Sequence, residues 1–230
     1  MALNIAVHQT VLYQILKDIY SDTQIAPFLG FKGGTAAAMF YGLDRFSVDL
    51  DFDLLDNTNE DLVFERVVKI VKKYGVLKDA YKKRFNLFCL VSYEDGAHKI
   101  KVEISRIPTK SKFEIKTYLG ISTWVMIPED VFANKLMAMS QRMGKTSRDI
   151  YDVWFFLSKR FPINKELIEE QMKIPFAQFL NGCINKLEKM KSKNILDGLG
   201  ELLTASQKDW AKAKLQSETI ALLKLRYSVS

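Results

Sequence analysis

Between Ser47 and Leu54 the chain alternates without a break, with Ser47, Asp49, Asp51 and Asp53 at odd positions and Val48, Leu50, Phe52 and Leu54 at even ones. A period of two belongs to extended strand, where successive side chains point to opposite faces. The run predicts a strand that lays one apolar face on a core and projects a row of carboxylates from the other. Ionised carboxylates so close repel one another and require a counter-charge. A divalent cation with oxygen ligands, Mg²⁺ above all, supplies it.

A second feature lies just upstream, where Lys32-Gly33-Gly34-Thr35 precedes the run Ala36-Ala37-Ala38-Met39-Phe40-Tyr41. Backbone N–H groups of a glycine turn at a helix start cradle polyphosphate, and the helix dipole adds to this. Two glycines let the backbone come close. The Thr35 hydroxyl either reaches a phosphate oxygen or caps the helix, and the two roles are compatible. Each half alone has a plainer reading, as an ordinary turn and as a solvated strand end. In this order and about fifteen residues apart, they point to phosphoryl or nucleotidyl transfer. An EF-hand loop would use Asp49, Asp51, Asp53 and Glu60, but Leu54 stands where that loop needs Gly.

With 230 residues, 48% of them hydrophobic, the chain has enough apolar side chains for one large core or two small ones. Charged residues make up 27%, which excludes a disordered composition. A net charge of +7 is compatible with a nucleic-acid partner. Cys89 and Cys183 both sit in apolar runs and read as small core residues, with neither disulfide framework nor zinc spacing. No basic start followed by an apolar signal core and no bilayer-length apolar run is present, so a cytoplasmic location without membrane contact is expected.

The periodicity predicts a helix through Val11–Ile19, a short strand at Ile25–Phe31, a helix from Thr35 to Tyr41 ended by Gly42, the acidic strand, and a helix over Glu60–Tyr74. Strands follow at Arg84–Ser92 and Lys99–Arg106, with a hairpin turn at Asp95-Gly96 between them. On the second of these, Ile100, Val102 and Ile104 face one way and Lys101, Glu103 and Ser105 the other. Glu103 is thus a third acid, fit to ligate a metal or to take a proton from an attacking hydroxyl, or to pair with a lysine across the strands. Beyond Pro128 helices are expected at Glu129–Met143, Ser147–Lys159, Lys165–Met172, Phe176–Lys191 and Asp197–Arg226. The fold class is α+β, a mixed sheet core flanked by helices over residues 1–122, followed by an α-helical domain over 123–230. On its helix Lys135 sits beside Phe132, Leu136 and Met139, at a core edge. Arg148, Asp149 and Asp152 open the next helix, where acids favour the dipole.

Lys32-Gly33-Gly34-Thr35, Tyr41-Gly42-Leu43, Arg45-Phe46-Ser47 and Asp49-Leu50-Asp51-Phe52 resemble the signature of the AbiEii/AbiGii abortive-infection nucleotidyltransferase toxins, within the DNA polymerase β-like nucleotidyltransferase superfamily. Ile100-Lys101-Val102-Glu103-Ile104 resembles that family's second acidic strand. Ala133-Asn134-Lys135-Leu136-Met137-Ala138, Arg142 and Arg148-Asp149-Ile150-Tyr151-Asp152 resemble its helical motifs. Thr35 stands where many members of the superfamily carry Ser, and Asp53 is an extra acid without an assigned role.

The resemblance implies two Mg²⁺ ions, or Mn²⁺ in their place, on Asp49, Asp51 and Glu103, and a nucleoside triphosphate on the Gly33-Gly34-Thr35 turn. Lys32, Arg45, Ser47, Lys135 and Arg148 would contact the nucleotide, and Lys135 and Asp149 would be catalytic residues of the helical half. It implies a toxin that transfers NMP from an NTP to RNA, at the tRNA 3′ end, and a partner antitoxin, often a winged-helix regulator. The alternatives are nucleotidyl transfer such as AMPylation onto a protein hydroxyl, and a non-catalytic RNA- or partner-binding module on the same fold.

Overall fold

The structure is a computed structural model that describes residues 4–93, 98–191 and 194–227. Its contacts divide the chain into two compact units, Met1–Ile127 and Pro128–Ser230. The division suggested at 122/123 would cut a strand, Ile121–Met126, that belongs to the first unit's sheet.

The first unit has helices α1 (Ile5–Ser21), α2 (Gly33–Tyr41) and α3 (Glu60–Val71), and strands β1 (Leu29–Lys32), β2 (Leu50–Leu54), β3 (Val76–Lys82), β4 (Asn86–Tyr93), β5 (His98–Ser105), β6 (Phe113–Tyr118) and β7 (Ile121–Met126). Among the described residues these seven strands form one mixed sheet in the order β3-β4-β5-β2-β1-β7-β6. β2 runs antiparallel to β1 and parallel to β5, while β1 runs parallel to β7. One sheet face carries Phe31, Phe52, Val91, Val102 and Ile104, all buried, and onto it α1 and α3 lay Leu12, Ile15, Leu16, Ile19, Val63 and Val67. Cys89 is part of this core.

The acidic strand is shorter than its alternation suggests. The ladder starts at Leu50, so Ser47 and Asp49 lie in the irregular segment before it. The strand expected at Ile25–Phe31 begins only at Leu29, after a 3₁₀ turn at Ala26–Phe28 that carries Pro27. The predicted helix over Glu60–Tyr74 is α-helical to Val71 and tightens to 3₁₀ over Lys72–Tyr74. The turn expected at Asp95-Gly96 lies outside the described residues.

The second unit is helical, with α4 (Pro128–Arg142), α5 (Arg148–Ser158), α6 (Lys165–Met172) and α7 (Phe176–Lys189) within a few residues of their expected bounds. Its core includes Phe132, Leu136, Phe156, Leu180 and Cys183, all buried. In place of one helix over Asp197–Arg226 there is a 3₁₀ turn at Gly200–Leu202, then α8 (Ala205–Trp210), a π-helical stretch at Ala211–Leu215 and α9 (Gln216–Tyr227). Thr204 starts α8 with a capping box, its hydroxyl accepting from Gln207 N. Among the described residues no helix is long and apolar enough to cross a membrane.

Candidate active site

The backbone register sets the acids. Asp51 on β2 pairs with Glu103 on β5 and with Lys32 on β1, and Asp53 pairs with Ser105 and Gly30. Paired positions share a face, so Asp51, Glu103 and Lys32 stand in one row. Asp49 precedes the ladder, and two side chains hold its segment instead. The Thr35 hydroxyl donates to the Asp49 carbonyl oxygen and is hydrogen-bonded with the Ser47 hydroxyl at 3.0 Å. From α1, His8 Nε2 donates to the Val48 carbonyl oxygen at 3.0 Å. The other ring nitrogen, Nδ1, is hydrogen-bonded with the Tyr93 hydroxyl at 2.5 Å. Thr35 is therefore a brace; the helix N-cap is Lys32, with no side-chain cap bond.

The three carboxylates gather around one ammonium. Lys101 Nζ lies 2.9 Å from Glu103 Oε2, 3.5 Å from Asp49 Oδ2 and 3.9 Å from Asp51 Oδ1. Burial works against its charge, yet Asp51, Asp49 and Glu103 together hold its pKa above the ordinary lysine value. Burial likewise pushes Glu103 up, but Lys101 and the Asn86 amide, which donates to Glu103 Oε1, bring it below the usual glutamate value. Among the described residues no group of three or more acidic, histidine or cysteine side chains is arranged around a common metal position. The lysine pairing expected for Glu103 across the strands comes instead from Lys101, two residues away on β5 itself, and this one ammonium serves all three acids.

Asp53 has a separate fate. Its carboxylate is buried and pairs with Lys32 Nζ. Burial raises its pKa, with Lys32 and Ser105 opposing. The extra acid of the sequence is thus a tether for Lys32.

The glycine turn fits against this row. Gly33 has φ +83°, the left-handed region, and a Cβ there would fall on the Asp51 carboxylate and within 2.9 Å of Asp51 Cβ. A Cβ on Gly34 would stand 2.8 Å from Ser47 Oγ and 3.1 Å from Arg45 Nη2. Arg45 is itself buried, its Nη1 donating to the Phe46 carbonyl oxygen at 2.9 Å. Arg45, Ser47 and Thr35 also line a cavity of about 270 Å³ against α1. The amides that open α2 therefore stand directly beside the acids.

In the helical unit, Lys135 on α4 pairs with Asp152 on α5 at 2.8 Å, with side chains 12% and 0% exposed. Arg142 pairs with Asp149 at 2.9 Å. The motif residues Lys135 and Asp149 therefore bind α4 to α5, and Asp152, quoted in the motif but given no role, is the buried partner. Arg148 is the first residue of α5, its backbone N–H near Thr146 Oγ1 at 3.4 Å.

A carboxylate row on adjacent parallel strands beside a glycine turn that opens a helix defines a nucleotidyltransferase. Two solved structures from Helicobacter pylori share the fold over the whole chain. A candidate nucleotidyltransferase matches with TM-score 0.66 at 23% identity over 97% of its own length. JHP933 matches with TM-score 0.65, also at 23% identity, over 94% of its length. An antigenic nucleotidyltransferase-like protein of Paracoccidioides brasiliensis gives TM-score 0.51 at 14% identity, covering 85% of this chain and 96% of its own. A comparison with curated proteins gives no match. Residues 14–219 match the family of nucleotidyl transferase AbiEii toxins of type IV toxin–antitoxin systems, and the chain belongs to that family. Membership carries an NTP substrate and a cognate antitoxin.

Proposed function

We propose that the chain transfers a nucleoside monophosphate from an NTP to an RNA hydroxyl, using Mg²⁺, with the tRNA 3′ end as acceptor. The observation that carries this reading is the register of Asp51 beside Glu103, with Asp51 filling the space a Gly33 side chain would take and Asp49 drawn to the same ammonium. Asp49, Asp51 and Glu103 offer hard oxygen donors only, the donor chemistry that Mg²⁺ or Mn²⁺ takes, and a metal ion there would displace the Lys101 ammonium from among them. Bound there, the metal ions would neutralise phosphate charge and ease deprotonation of the acceptor hydroxyl.

The chain's own residues supply positioning and charge. The amides of Gly33, Gly34 and Thr35 receive the triphosphate at the positive end of α2. Lys32, Arg45 and Ser47 frame that turn. Asn86 and the sheet ladder orient Glu103. In the helical unit Lys135 and Arg148 are assigned to the nucleotide and Lys135 and Asp149 to catalysis, on their sequence motifs. RNA as acceptor agrees with the net charge of +7 and with weakening of binding by salt. The test is incubation with each α-labelled NTP in turn and total tRNA, with Mg²⁺ or EDTA, beside Asp51→Asn. Label at the RNA 3′ end that disappears in the variant and in EDTA is expected. Label on protein alone would overturn the RNA acceptor, and no label under any NTP would overturn transfer.

A further inference from the structure

The register of the acid row continues outward across the sheet. Glu103 on β5 pairs with Phe88 on β4, and Phe88 pairs with Tyr81 on β3. Lys32, Asp51, Glu103, Phe88 and Tyr81 therefore form one row on one face. Strands lie about 4.8 Å apart, which puts Tyr81 roughly 10 Å from Glu103 along the row. The two rings are stacked, with centroids 4.7 Å apart and planes 4° from parallel. Lys83 Nζ lies 4.5 Å from the Tyr81 ring centre and 5.9 Å from that of Phe88.

These rings are not core residues. β4 sends Leu87, Cys89 and Val91 into the core on the opposite face, while Phe88 and Tyr81 stay half-buried. The turn between β3 and β4 adds Phe85, 55% exposed, with the Arg84 guanidinium 5.0 Å from its ring centre. That turn is fixed to the end of β5, since Arg106 N donates to the Phe85 carbonyl oxygen at 2.8 Å and Arg106 Nη1 to that of Lys83 at 2.5 Å. Aromatic faces interleaved with cations stack bases and offset phosphate charge, whatever the base sequence.

We propose that the Phe88–Tyr81 pair, with Lys83, is the stacking platform for the terminal bases of a single-stranded acceptor RNA. The proposal rests on the RNA-transfer reading and adds where the acceptor binds. Each ring already covers one face of the other, so a base stacks on an outer face of the pair, and the face of Phe88 is the one turned along the row toward Glu103. A strand lying along it brings its terminal hydroxyl to the carboxylates.

The experiment is fluorescence titration of a short oligoribonucleotide carrying 2-aminopurine next to its 3′ end, at fixed salt. Wild type, Tyr81→Leu, Phe88→Leu and Tyr81→Trp are compared, with melting curves to confirm folding. Wild type and Tyr81→Trp are expected to quench the probe. Each Leu variant is expected to lose the quenching, to bind roughly tenfold or more weakly, and to raise KM for RNA in the transfer assay by a similar factor. Quenching and KM unchanged in both Leu variants, with RNA still labelled by wild type, would overturn the platform alone. Absence of RNA labelling by wild type while the quenching pattern holds would overturn the transfer reading and leave an RNA-binding face. Label confined to protein, with no quenching by wild type, would overturn both.

Discussion

Lys101→Met removes the charge around which Asp49, Asp51 and Glu103 converge and keeps most of the aliphatic stem. At 2.9, 3.5 and 3.9 Å, an effective dielectric near 20 puts each gross attraction at about 4–6 kcal/mol. Desolvation of the ammonium and repulsion among the acids offset most of this. The four side chains are 24–32% exposed, so solvent and salt screen the remainder. A net loss of about 2 kcal/mol is the reasonable size for removing one charged hydrogen-bond partner. For a unit of this length that lowers Tm by roughly 5–10 °C in metal-free buffer. Mg²⁺ should then raise the Tm of Lys101→Met more than that of wild type, because the ion no longer competes with a resident ammonium. The pH dependence has a definite sign. The raised lysine pKa contributes stability that is complete below the ordinary 10.5 and lost as pH rises through the raised value. The lowered Glu103 pKa contributes stability that is complete above the ordinary 4.5 and lost as pH falls through the lowered value. The Tm gap between the two proteins is therefore flat through neutral pH and closes at both extremes. Equal melting temperatures in EDTA, together with equal Mg²⁺ responses, would refute the view that this ammonium is the acids' counter-charge.

Gly33→Ala forces a side chain into the left-handed region and onto the Asp51 carboxylate; transfer should fall at least a hundredfold while circular dichroism stays native, and retained activity would show that the turn has room. Burial pushes the Cys89 thiol up to about 12 and the Cys183 thiol up to about 11; neither should react with a thiol reagent at pH 8 until denaturant is added, and rapid labelling of the native protein would contradict their core placement. Burial pushes the Asp22 carboxyl up, but its bond from Arg66 Nε at 2.5 Å and its local amide bond bring it below the usual value. Asp22→Asn should therefore lower Tm at neutral pH by an amount that vanishes as pH falls below 3.8 through the lowered value; a pH-independent difference would assign the effect to something other than this charge.

The acidic strand and the glycine turn were legible because both obey local rules, period two for the one and glycine at a helix start for the other. The attachment of Asp49 was not, since it depends on Thr35 and on His8, which is some forty residues away in sequence. β3 escaped notice because its residues are exposed or half-buried on both faces, so hydrophobicity does not alternate. The β6–β7 hairpin turns through Leu119 at φ 48° and Gly120 at φ 78°, and leucine in a left-handed turn position is not a hairpin signal. The break before α8 did leave a trace, Thr204 with Gln207 three residues on, the two members of a capping box. Asp152 as partner of Lys135 follows from helix packing, which no spacing within either helix reveals.

The strand order β3-β4-β5-β2-β1 has a consequence for synthesis of the chain. Asp51 waits in an early strand whose ladder partner, Glu103, is translated only after β3 and β4. A parallel pair cannot close by a short hairpin, so the intervening segment must exist before the two acids meet. The nascent polypeptide therefore carries no assembled carboxylate row until β5 has left the ribosome. For a member of a toxin family, the paired acids therefore come together only late in the making of each molecule, which leaves a window in which an antitoxin can be waiting.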